Sequence, residues 1–165
     1  MKKLLYIVLL LNATINAQNN QTIQINKTLD NWHKAAADAK FESYMNVLTS
    51  DAIYIGTDAN ENWNKQQFEA FAKPYFDKGK AWSFTSLQRN IYFSKDKKIA
   101  WFDELLDTQM KICRGSGVLI KIDKVWKIQH YVLSMTIPNE KSDEVIKVKE
   151  PIENALIVKL KSKSK

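Results

Sequence analysis

The stretch RGSGVLIKIDKVWKIQHYVLS, Arg114 to Ser134, reads as two strand-like runs joined by the short polar connector Asp123-Lys124. β-branched and aromatic residues fill both runs, and a connector of that length and polarity is what a hairpin requires. Working outward, the runs extend to Ile112–Ile122 and Val125–Ile137. Two more of the same kind precede them, Ala81–Phe93 and Ile99–Met110, separated by the polar residues 94–98. Four consecutive segments of this length predict a strongly twisted and bent antiparallel sheet. Gly115 and Gly117 in the third segment are candidates for a bulge or bend.

Upstream the period changes. Leu29, Trp32, Ala36 and Ala39 recur every three or four residues, which predicts a helix over Asn26–Ala39. A second short helix is expected over Lys40–Leu48 and a strand over Ala52–Thr57. A further helix is expected over Gln66–Phe76, where Pro74 should kink it or mark its last turn. Helices followed by hairpin-linked strands make an α+β domain, with N-terminal helices packed in a strongly curved, mostly antiparallel sheet whose concave end forms a pocket.

A chain of 165 residues is long enough for one domain with a substantial core. Lys2 and Lys3, the apolar run Leu4–Leu11 and the small and polar residues up to Ala17 have the three-part form of a secretory signal peptide. Eight apolar residues are too few to span a bilayer, which needs about 20. Cleavage near Ala17 would deliver the protein to the periplasm or the extracellular space, with no stable membrane anchor. A polar leader follows over 18–24, the curved-sheet domain is expected over 25–140, and a helical, basic tail over 141–165. In that tail Pro151 suits the first turn of a new helix.

The formal net charge of +7 is unevenly placed. Two positive charges belong to the leader, and residues 141–165 hold seven Lys against four acidic residues. Nucleic-acid binding needs basic residues concentrated on one working face, so no nucleic acid is expected as partner. The single Cys113 cannot form an internal disulfide and reads as a small buried hydrophobe.

Residues 114–139, with Ala100-Trp101-Phe102-Asp103-Glu104, Trp32, the Ala52–Gly56 strand and the Trp63–Phe71 segment in order, resemble the SnoaL-like branch of the nuclear transport factor 2-like superfamily. Asn64 departs from the pattern, since many relatives place Gly there. The resemblance covers about residues 24 to 140 and implies a cone of helices against a curved sheet, often dimeric through the outer sheet surface. It implies no single chemistry, because isomerases, dehydratases, cyclases and binding modules share the fold.

Strand alternation places His130, Val132 and Ser134 on one face with Trp126 and Ile128, making His130 a candidate acid or base within the cone. Asp103 and Glu104 lie on opposite faces of their strand, so one of them points inward, as a proton shuttle or as the partner of Arg114. His33 is expected at the edge of its helical stripe, partly exposed. The pocket is expected to be bounded by Tyr54, Trp82, Asp103, Arg114 and His130 and to take a small apolar or aromatic molecule. One alternative is a cofactor-independent isomerase, dehydratase or cyclase that moves a proton with Asp103 or His130. Another is an interaction or oligomerisation module, and a homodimer is expected. Gly115-Ser116-Gly117 lacks the flanks of a nucleophile elbow or phosphate loop, the two His and one Cys have no zinc spacing, and no dinucleotide fingerprint occurs. No metal and no cofactor is expected.

Overall fold

The computed structural model describes residues 2–163, with side chains from 19 to 163. Two helices open the chain, α1 (Lys2–Ala37) and α2 (Phe41–Met45). Strands β1 (Leu48–Ile55) and β2 (Asn62–Asn64) and helix α3 (Lys65–Asp77) follow. The hairpin series is β3 (Thr85–Phe93), β4 (Ile99–Thr108), β5 (Lys111–Ile122) and β6 (Val125–Met135). A 3-10 turn (Asn139–Lys141) and helix α4 (Ser142–Lys163) end the described chain. The chain divides into two compact units, 1–135 and 136–165.

In the first unit the strands form one curved, open sheet in the order β2-β1-β6-β5-β4-β3. All neighbours are antiparallel except β1 and β6, which run parallel. The helical stripe of α1 is buried through Ile25, Leu29, Trp32 and Ala36, at the three- and four-residue spacing the sequence shows. Against it lie the inner-face residues of β4, Ala100, Phe102, Glu104 and Leu106, all buried. Cys113 is buried and unpaired, its Sγ 3.5 Å from the Thr108 hydroxyl.

Several boundaries move. The helix predicted from Asn26 already includes the polar leader from residue 19, and the predicted signal peptide lies outside the residues whose side chains are described. Helix α1 stops because Ala39 takes φ 52°, and the Lys40 amide closes the end on the Ala35 carbonyl at 2.8 Å. The second helix covers only Phe41–Met45, since Leu48 already pairs with Ile128 of β6 and starts β1 earlier than Ala52. The short β2 was not legible, because three residues carry too little pattern. Asn64, the departure from the family pattern, is the N-cap of α3. Its side chain accepts from the Gln67 amide at 2.9 Å while Gln67 accepts from the Asn64 amide at 3.0 Å. Helix α3 runs three residues past Pro74.

The second unit holds α4, one helix of 22 residues with Pro151 inside it. The expected break at Pro151, with a new helix beginning there, does not occur. None of the residues of α4 is buried. Among the described residues no helix is long and apolar enough to cross a membrane.

Candidate functional site

The inner face of the sheet carries one acidic side chain that is buried outright, Glu104, 1 % exposed. Its Oε1 lies 2.8 Å from His33 Nε2 on α1, and Arg89 of β3 places both Nε and Nη2 2.8 Å from Oε2. The Arg89 side chain, 6 % exposed, also donates to Asp30 at 2.8 Å and to the Asn26 side chain at 3.1 Å. Tyr131 of β6 donates to Glu104 Oε1 at 3.5 Å. Burial pushes the Glu104 carboxyl up, but the His33 hydrogen bond and the charges of His33 and Arg89 outweigh it and hold it below its ordinary value. Burial, then the adjacent Glu104 charge, pushes the Tyr131 hydroxyl well up. A carboxylate so paired is fixed as an anion. It ties α1 to the sheet rather than waiting as a proton acceptor.

Gly115 is part of this arrangement. A Cβ there would stand 2.4 Å from the Tyr131 hydroxyl oxygen and 3.1 Å from Glu104, so only glycine lets β5 pass this close to the pair. Beside His33 an open polar cleft of about 370 Å³ runs between α1 and residues 83–86, lined by Asp30, His33, Lys34, Phe84 and Ser86 among others.

A second cleft opens at the end of the cone near β1, β2 and α3. It is about 130 Å³ and is walled by Tyr54, Trp63, Phe68, Phe71 and Trp82, with Thr57 and Glu61 among its polar residues. The walls brace one another. Tyr54 stacks on Phe68 at 3.8 Å between ring centroids, and Trp63 on Phe71 at 4.5 Å, contacts each worth about 0.5–1.5 kcal/mol beyond burial.

Of the five residues expected to bound a pocket, Tyr54 and Trp82 line this cleft. Asp103, Arg114 and His130 do not, because all three lie on the outer face of the sheet. Asp103 pairs across strands with Asn90, whose side-chain amide donates to it at 3.1 Å, and Arg114 is exposed opposite Leu105. Glu104 is therefore the inward carboxylate, and its arginine is Arg89 rather than Arg114.

His130 faces outward because of a bulge. Leu119 pairs with Ile128 but Val118 pairs with His130, so Gln129 is an extra residue in β6. One extra residue reverses the faces beyond it, and Tyr131 and Leu133 take the inner positions that alternation from Trp126 and Ile128 gave to His130 and Val132. The signal lies in the sequence itself, where apolar positions step from 126 and 128 to 131 and 133. His33, expected at a partly exposed edge, is buried, because Glu104 and Arg89 supply a polar partner inside the cone.

The model of the SnoaL-like domain matches residues 25–138. No curated protein sequence matches significantly. Among solved structures, a nuclear transport factor 2-like protein of unknown function from Pseudomonas putida KT2440 superposes with a TM-score of 0.62 at 13% identity, covering 74% of this chain and 92% of that one. A candidate dehydratase of the same family from Streptomyces avermitilis gives 0.63 at 9% identity, over 73% and 99%. A nuclear transport factor 2-like protein from Cytophaga hutchinsonii ATCC 33406 gives 0.59 at 16% identity, over 70% and 98%. At these identities the likeness is one of fold.

Proposed function

The chain belongs to the SnoaL-like domain family, and from that premise we propose that it is an exported binding protein for a small apolar or aromatic molecule, held in the cleft of Tyr54, Trp63, Phe68, Phe71 and Trp82. The observation that carries this reading is the convergence of five aromatic side chains from four parts of the chain on one opening, braced by stacking so that the walls stand before a ligand arrives. A catalytic reading has less support, since the buried carboxylate is engaged on both oxygens by His33 and Arg89, and Asp103 and His130 stand on the opposite face of the sheet.

The test is fluorescence titration with p-cresol, since Trp63 and Trp82 report from the cleft walls. Saturable change that weakens in Phe71→Ala is the expected result. A flat response in both proteins would remove the cleft from consideration as a binding site.

A second reading concerns assembly. Tyr92 and Trp101, each 46 % exposed, stack on each other at 5.9 Å on the outer sheet face, with Ile99 and Ile112 also exposed there. This apolar surface favours a homodimer through the sheet.

A further inference from the structure

We propose that the ligand of the aromatic cleft carries a positive charge, as a quaternary or alkylated ammonium group. This rests on the reading of the cleft as a small-molecule site and names the chemistry that it selects. The lining combines aromatic rings with one carboxylate, Glu61, and among the described residues that line it none is basic. Aromatic rings attract a cation electrostatically, most strongly when water is excluded, and a nearby carboxylate adds a full opposite charge. Among the small molecules such a cleft could take, one that carries a cationic group offsets the cost of displacing water from the half-buried carboxylate, which a neutral one does not.

The loop before β2 is shaped to hold that carboxylate in place. Glu61 Oε2 accepts from the Asp58 amide at 3.0 Å, and the Gly56 amide donates to the Glu61 carbonyl at 2.9 Å. A Cβ on Gly56 would stand 2.2 Å from Oε2, so the glycine leaves the room that the carboxylate occupies. Among the described residues Glu61 forms no ion pair, in contrast to Glu104. Its charge is felt at the cleft wall, where the Tyr54 hydroxyl is pushed well up by burial first and by Glu61 in addition. Glu104 is paired with a buried guanidinium, whereas Glu61 faces aromatic rings with a single backbone N–H on its carboxylate. The second is the one with a place for an external cation.

Choline and its neutral isostere 3,3-dimethylbutan-1-ol, which differ by carbon in place of the charged nitrogen, separate the two levels of the argument. Calorimetric titration of the full chain should show choline bound tighter than the isostere by about thirtyfold. Glu61→Gln, which keeps the shape and the acceptor for the Asp58 amide, should reduce that ratio about tenfold. Phe71→Leu, which keeps apolar volume but removes a ring, should weaken choline and spare the isostere. Equal affinity for the two probes would overturn the charge selectivity and leave the apolar cleft standing. If neither probe binds, the charge proposal falls, and a flat p-cresol titration takes the cleft reading with it. Sedimentation with phosphatidylcholine vesicles distinguishes the sources of such a group. Co-sedimentation lost in Glu61→Gln assigns it to a lipid head group, and protein left in the supernatant while free choline binds assigns it to a soluble amine.

Discussion

Glu104 shows how much a single residue can depend on its neighbours. Replacing it by Gln leaves the buried Arg89 guanidinium with only the exposed Asp30 carboxylate as counter-charge, and a loss of about 3 kcal/mol is expected in denaturant unfolding. The same pair sets an acid limit. The carboxyl is held below its ordinary value of 4.5 in the folded chain, so its contribution is complete above that pH and is lost as pH falls through the lower folded value. Melting temperatures measured from pH 7 downward should therefore drop more steeply below about pH 4.5 in the parent than in Glu104→Gln. Asp38, Asp51, Asp58 and Asp96 are also held low, but in solvent, and they are common to both proteins, so the difference isolates Glu104. Gly115→Ala drives a methyl group onto the Tyr131 hydroxyl and should cost about 1–3 kcal/mol. Adding Tyr131→Phe removes the oxygen in the way, so the double variant should recover part of that loss. Strictly additive losses would show that the clash lies elsewhere.

At the scale of elements, local chemistry decides more. The capping box of Asn64 and Gln67 closes the start of α3, the helix that supplies Phe68 and Phe71 to the cleft. Asn64→Ala should cost about 1 kcal/mol, measured as a shift in the unfolding midpoint, whereas Asn64→Gly should cost only a few tenths. The strands from β3 to β6 were legible from alternation and polar connectors, because hairpins join sequence neighbours and need little non-local information. Pro151 misleads in the other direction. Proline at the start of a helix and proline within one look alike in sequence, and only the continued turns on both sides distinguish them.

For the molecule as a whole, the outer sheet face is the surface on which the proposed assembly depends. Trp101→Glu puts a charge beside Tyr92 in the centre of that face, and sedimentation velocity should show a dimer in the parent and a monomer in the variant. Unchanged mass would exclude this face as the contact. The proposed export predicts a processed chain that begins at Gln18, read directly by intact mass. What the amino-acid sequence determined by itself was the elements other than β2, their α+β order, the opposed faces of Asp103 and Glu104, and the aromatic character of the cone, since period and composition are local properties. Only the tertiary structure decided that Arg89 and His33 meet Glu104, that the extra residue hinted at by the apolar step from 128 to 131 is a bulge against β5, and that Trp63, Phe71 and Glu61 join Tyr54 and Trp82 at one opening. Each of these depends on register between segments far apart in the chain, and a shift of one residue in that register exchanges the inside of a strand for its outside.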